Sequence, residues 1–111
     1  MREWWEAAKD AEREAVARAY PEFEQLRTPP AQFTPAVHTA LLAAAENSKS
    51  DLCVLPWQDV LGTMDRVNLP GSMSEANWAY RIAQPVEALL EHGQTKGAAE
   101  HLGKLTRAGG R

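Results

Sequence analysis

The amino-terminal part of the chain has the apolar and polar pattern of a surface helix. Residues 2–19 are rich in Glu, Lys, Arg and Ala and hold no glycine or proline, a composition that favours helix. Spacings of three and four place on one face Trp4, Ala8, Ala11, Ala15 and Ala19. Pro21 disfavours helix at the residue before it, so we expect one continuous helix over 2–19 with an alanine-rich contact face.

A second helical pattern follows a proline-rich segment. Residues 21–33 hold three prolines and little periodicity, and are predicted to be a loop. Thr34 is a helix-capping residue and Pro35 suits the first helical position, so a helix is predicted over 34–46. The apolar side chains expected to be buried on this helix are Val37, Leu41, Leu42 and Ala45.

The run Leu52–Leu55 has a different pattern, because it is short, almost wholly apolar and closed by Pro56. Such a run between turn signals is typical of a strand that is buried on both faces, as in a parallel sheet. Cys53 would then be a buried, inert thiol. A strand needs neighbours for its backbone N–H and C=O groups, and no comparable second run is present. The single strand therefore also predicts that the chain self-associates.

The rest of the chain is predicted to be a loop followed by helices. Glycine, proline and asparagine recur through residues 57–81, which indicates turns. Pro85 suits the start of a helix over 85–92, and a glycine-diluted helix is predicted over 95–107. The expected fold is a single piece over 1–111, mainly α with one short buried parallel-type strand.

Composition and charge exclude several classes of function. A net charge of −3 with interleaved signs offers no basic patch for nucleic acid, and no apolar run is long enough to cross a membrane. The single cysteine allows no internal disulfide, which favours a cytoplasmic location. Three histidines, His38, His92 and His101, lack metal-ligand spacing and are expected to be solvated, so neither a metal nor a cofactor is predicted.

Three ordered motifs carry the functional signal. They are PWQDVL at 56–61, RVNLPG at 66–71 and NWAYR at 77–81. They resemble the Pro-x-Gln-Asp-x-Leu, Arg-x-Asn-x-Pro-Gly and Asn-Trp-x-x-Arg segments of the amylomaltases, or disproportionating enzymes, which are 4-alpha-glucanotransferases. The pair Trp4-Trp5 resembles the aromatic pair that follows the last catalytic aspartate of that family. The resemblance is strong over 52–82 and looser over 2–50.

The resemblance implies a fold, a reaction and a set of partners. The chain would be the last α-β-α part of a (β/α)8 barrel, with its loops at the active-site face. The reaction would be retaining transfer of α-1,4-glucan segments between maltooligosaccharides, which needs two carboxyl groups about 5–5.5 Å apart. In amylomaltases those groups lie on earlier strands, so no catalytic residue is expected here. The missing N-terminal barrel portion would be a partner, and the chain would not be catalytic alone.

The same resemblance suggests substrate contacts, each with a structural alternative. Asn68 is the first candidate, because its amide offers the donor and acceptor that sugar hydroxyls need. Gln58 and Asp59 either face a sugar or hold the turn after the strand. Arg66 either binds substrate or is a structural anchor that pairs with a carboxylate of the missing barrel portion. Asn77 and Trp78 either meet a sugar ring or pack within the fold. The alternative function is a non-catalytic module that binds maltooligosaccharide or docks onto a partner.

Overall fold

The structure, a computed structural model, describes residues 1–110. In chain order its elements are α1 (Arg2–Ala7), α2 (Asp10–Ala19), a 3-10 helix (Pro21–Leu26), α3 (Pro35–Glu46), α4 (Trp57–Leu61), α5 (Val86–Glu91) and α6 (Gly93–Ala108). None of the helices in this range is long and apolar enough to span a membrane.

The helix predicted over 2–19 is divided into α1 and α2. Ala8 and Lys9 are extended, with ψ angles of 150° and 157°, and they separate the two helices. The break is stable because the freed backbone groups find side-chain partners. The Lys9 N–H donates to Glu12 Oε2 at 2.7 Å. The buried Arg13 guanidinium donates to the Trp5 carbonyl at 3.1 Å and also to the Ala8 carbonyl.

The break changes which side chains α2 buries. The predicted alanine-rich face is wrong, since Ala11, Ala15 and Ala19 are exposed. The buried residues of α2 are instead Arg13 and Ala17. Two extended residues interrupt the helical period, so a face extrapolated from Trp4 through the break has no meaning beyond it.

Aromatic side chains form the centre of the core. Trp5 and Phe23 are fully buried and stack with ring centroids 5.7 Å apart. The Trp5 indole N–H donates to the Pro30 carbonyl at 3.0 Å, which satisfies a polar group that burial would otherwise leave without a partner. Val37 and Ala40 of α3 complete this cluster. The predicted loop over 21–33 therefore supplies the 3-10 helix and part of the core.

Helix α3 lies between the 3-10 helix and α6. Its start follows the predicted signal, because the Thr34 hydroxyl accepts from the Val37 N–H at 3.3 Å and Pro35 occupies the first turn. A hydrogen bond of 3.1 Å joins Thr39 Oγ1 of α3 to His101 Nε2 of α6. The expectation that His101 is simply solvated is therefore wrong.

The predicted strand is absent. Residues 52–55 belong to no helix or strand, and the part of the chain that the structure describes contains no sheet. Leu52 and Val54 are 75% and 76% exposed, whereas Cys53 and Leu55 are half-buried. The prediction of a buried parallel-type strand was wrong because an apolar run becomes a strand only when a second segment bonds its backbone.

The surface is large for the size of the chain. The solvent-accessible area is 7932 Å², whereas a compact 12.3 kDa monomer exposes about 6100 Å². The radius of gyration is 15.3 Å, against about 13 Å for a compact domain of this length. Apolar side chains more than half exposed include Leu52, Val54, Leu69, Met73, Trp78, Val86 and Leu90. Much apolar surface is thus left in contact with solvent.

Candidate functional site

A cleft of about 330 Å³ lies where α1 meets α4 and the loop after it. It brings together four of the six predicted contact residues, which are Gln58, Asp59, Arg66 and Asn68. We call it the α4 cleft. Depressions of about 550 and 630 Å³ flank the 3-10 helix, and another of about 360 Å³ lies between Trp4 and α3. None of these larger depressions is lined by a predicted contact residue.

Helix α4 presents Gln58 and Asp59 to the cleft, although this segment was predicted to be part of a loop over 57–81. Pro56 precedes the first turn, and Gly62 ends the helix with a left-handed φ of 68°. The Gly62 N–H donates to the Asp59 carbonyl at 3.2 Å, and the Thr63 N–H donates to the Gln58 carbonyl at 2.9 Å. Gln58 is only 7% exposed. The motif therefore folds as one closed helical turn rather than as a mobile loop.

Asp59 is held through two of its groups. Its carboxylate Oδ1 accepts from the Met1 ammonium group at 2.7 Å. Its backbone carbonyl accepts from Nε2 of His38 at 2.7 Å. His38 also packs on Phe33, with ring centroids 5.2 Å apart. The expectation that His38 is solvated is wrong, because its imidazole lies between α3 and α4.

Arg66 forms an ion pair with Glu3 of α1 across the cleft. The side-chain hydrogen bond from Arg66 lowers the pKa of Glu3, and the same bond raises the pKa of Arg66. The sequence left open whether Arg66 binds substrate or pairs with a carboxylate. In the structure it pairs within its own chain, and both side chains remain nearly half exposed, at 45% and 46%.

Asn68 lies half-buried along the cleft wall. Within residues 1–110 no side-chain hydrogen bond engages its amide, so this donor and acceptor are not occupied by another part of the chain. Asp65 differs, since its Oδ2 accepts from the Thr63 hydroxyl at 2.9 Å. Among the predicted residues, Asn68 therefore has the polar group most available to a ligand.

Asn77 and Trp78 lie outside the cleft lining. The Asn77 side chain accepts from the Leu69 N–H at 2.8 Å and donates to the Ser72 carbonyl at 2.9 Å. The backbone N–H of Trp78 donates to the Val67 carbonyl at 2.7 Å, and the Trp78 backbone has a left-handed φ of 66°. The Trp78 ring is 72% exposed. Asn77 thus stabilises the turn at 69–72, and the Trp78 ring is largely exposed to solvent.

Two residues of the site were not predicted from the sequence to belong to it. Glu3 lines the cleft from α1, beside the Trp4 of the aromatic pair, and His38 contacts α4 from the side of α3. Glu3 and Arg66 are 63 positions apart, and no local pattern shows such a pairing. His38 sits on a helix at no special spacing, so the sequence carries no signal for its contact with Asp59.

The chemistry of the cleft suits a polar, uncharged ligand. Carboxylate, amide and guanidinium groups stand beside the half-exposed Trp4 ring, which is 49% exposed. Sugars present hydroxyls to such polar groups and C–H faces to aromatic rings. In the part of the chain that the structure describes, no group of three or more side chains is placed to hold a metal ion.

Comparison with known proteins gives one finding. No curated protein and no solved structure matches the chain. A family model described as 4-alpha-glucanotransferase matches residues 1–87, a range that contains α1 to α4, the whole cleft and all three motifs. The resemblance read from the motifs is confirmed. Because the match covers more than half of the sequence, this chain belongs to the 4-alpha-glucanotransferase family.

Proposed function

We propose that this chain supplies a glucan-contacting surface to a 4-alpha-glucanotransferase that moves α-1,4-glucan segments between maltooligosaccharides. The observation that carries the proposal is the α4 cleft. It gathers Gln58, Asp59, Arg66 and Asn68 from two separate motifs, inside the range that the family model matches. The cleft residues contact substrate and do not perform the chemistry.

The state of the cleft carboxylates supports a non-catalytic role for the isolated chain. Retaining transfer needs a carboxylic acid that stays protonated near neutral pH, beside a carboxylate nucleophile. Glu3 has the opposite character, because the hydrogen bond from Arg66 lowers its pKa. Asp59 is paired with the Met1 ammonium group, and Asp65 accepts from a hydroxyl. The proposal therefore assigns the catalytic carboxylates to polypeptide outside this chain.

Exposed apolar side chains support docking onto that polypeptide. Leu52 and Val54, beside the cleft helix in sequence, are about three-quarters exposed at 75% and 76%. A protein surface of this kind is stabilised when a partner covers it. We propose that the partner carries the catalytic carboxylates and that the complex is cytoplasmic, where the free thiol of Cys53 stays reduced.

The proposal is tested by titrating the isotope-labelled chain with maltoheptaose and following its amide NMR signals. We expect weak binding, with shifts at Gln58, Asp59 and Asn68, and no response to cellohexaose, whose β-1,4 linkages give a different shape. Shifts confined to other surfaces, or equal shifts with both sugars, would contradict the proposal. A tight complex, with a Kd of about 1 μM or below, would instead favour a free-standing maltooligosaccharide-binding module.

A further inference from the structure

Helix α4 cannot be stable by itself. It comprises 5 residues, and isolated helices of that length do not persist in water. Its position therefore depends on contacts with its surroundings. Because α4 carries Gln58 and Asp59, any group that fixes α4 also fixes those side chains in the cleft.

His38 makes the contact that joins α4 to α3. Its Nε2 lies 2.7 Å from the Asp59 carbonyl oxygen. A carbonyl oxygen can only accept, so Nε2 must carry the hydrogen. That hydrogen is present in the neutral Nε2–H tautomer and in the imidazolium ion alike, so this bond can form in either protonation state.

The histidine ring also fits closely beneath the end of α4. A Cβ atom added at Gly62 would lie 3.2 Å from His38 Cε1 and 3.4 Å from Phe33 Cε1. The Gly62 backbone has a φ of 68°, and its N–H shares the Asp59 carbonyl with His38. The ring of His38 is in turn supported by Phe33 at 5.2 Å. Hydrogen bonding and packing thus converge on the same turn.

We propose that His38 is a positioning residue. It fixes the position of α4 relative to α3 and thereby places Gln58 and Asp59 in the α4 cleft. The positioning itself follows from the contacts of His38. Its consequence for glucan binding rests on the function proposed above.

Three variants of the full chain separate the hydrogen bond from general effects on α3. His38→Phe keeps an aromatic ring on Phe33 and removes the donor. His38→Gln restores a donor at nearly the position of Nε2. Thr39→Val removes the neighbouring hydrogen bond to His101, which lies outside the cleft, and serves as the control.

The readout is amide hydrogen exchange at Val60, Gly62 and Thr63, which reports opening of α4. We expect His38→Phe to speed exchange about fivefold to tenfold, the ratio that loss of one net hydrogen bond gives. His38→Gln should return the rates to near those of the parent chain, and Thr39→Val should leave them unchanged. Unchanged rates in His38→Phe, no rescue by His38→Gln, or an equal increase in Thr39→Val would each overturn the proposal.

Two further measurements keep the outcome clear. The imidazole nitrogen NMR signals of the parent chain should show a hydrogen on Nε2 of His38; an Nε2 without hydrogen overturns the proposal even if His38→Phe does not fold. Maltoheptaose shifts at Gln58 should weaken in His38→Phe and return in His38→Gln. Absence of sugar shifts in the parent chain would reject the glucan function, while the exchange rates would still decide the role of His38.

Discussion

At the scale of single residues, the cleft carboxylates already have partners, whereas the amides of Asn68 and the 7% exposed Gln58 have no side-chain hydrogen bond among the described residues. Asp59, Asp65 and Glu3 each have a partner within the chain. The Asn68 amide has none among the residues that the structure describes, although it lies in the same cleft wall. Contact with a sugar should therefore depend on Asn68 more than on the neighbouring carboxylates.

Replacing Asn68 tests that expectation in a complete enzyme that contains this sequence. Asn68→Ala should lower kcat/KM for maltotriose transfer by about 10-fold to 100-fold, as expected when a polar substrate contact worth about 1–3 kcal/mol is lost. Asp65→Ala is the matched control, because Asp65 lines the same cleft and already accepts from Thr63. Equal activities of the two variants would remove Asn68 from the substrate contacts.

The Glu3–Arg66 pair predicts a pH dependence of stability. The hydrogen bond from Arg66 lowers the pKa of Glu3 in the folded chain, below the value of about 4.3 for an unperturbed Glu. A lowered pKa stabilises the fold above the unfolded value, and this stabilisation is lost as the pH falls through the folded value. Glu3→Gln should therefore lower the Tm slightly at pH 7, and this Tm difference should shrink as the pH falls below about 4.3. A Tm difference that stays constant over this range would contradict the assignment.

At the scale of elements, the junction between α1 and α2 depends on one buried side chain. Arg13 is 5% exposed and donates to the carbonyls of Trp5 and Ala8 and to the carboxylate of Asp10. Those carbonyls belong to the end of α1, where the helix provides no partner of its own. The guanidinium therefore takes the place of the missing helical hydrogen bonds.

Removing that guanidinium should be costly. Arg13→Met keeps an apolar stem but leaves the two carbonyls without partners, so the free energy of unfolding should fall by about 1–3 kcal/mol. Arg18→Met is the control on the same helix, since Arg18 is 70% exposed and its loss should change stability by less than about 0.5 kcal/mol. Denaturant unfolding measures both variants. Equal losses would show that Arg13 does not hold the junction.

Secondary structure could be predicted from the sequence where neighbouring residues determine it, and the prediction was wrong where contacts with more distant residues determine it. Thr34 and Pro35 act within one turn, so the start of α3 could be predicted. The break at Ala8 depends on Glu12 and Arg13 meeting backbone groups several positions away, and residues 2–19 have ordinary helical composition. Leu52–Leu55 has strand composition, but pairing depends on a second segment that composition does not supply.

Local motifs account for only part of the cleft lining. The motifs pointed to Gln58, Asp59, Arg66 and Asn68, and the structure brings these four together. The motifs could not show which side chains meet them, because Glu3 reaches the cleft, and His38 reaches the backbone of α4, only through tertiary packing. Asn77 was named as a candidate substrate contact from its motif, but its amide forms hydrogen bonds within the turn at 69–72.

At the scale of the whole molecule, the exposed segment 52–55 predicts self-association of the isolated chain. The segment has no strand partner among the described residues and exposes Leu52 and Val54, so it can pair with a second copy. Val54→Lys should shift the chain toward monomer in light scattering without disturbing the core, because Val54 is 76% exposed. Val86→Lys, at a helical residue that is 66% exposed, should have little effect. A parent chain that is already a monodisperse monomer would refute this prediction.

We propose that this chain takes part in glucan transfer without performing it. The most direct test is incubation of the purified chain with maltotriose, followed by measurement of released glucose and longer maltooligosaccharides. We predict no disproportionation above the buffer control, because the proposed function assigns the carboxyl pair that retaining transfer needs to polypeptide outside this chain. Glucose release that co-purifies with the chain and is lost in Glu3→Gln would contradict the account, because it would place the chemistry in this cleft.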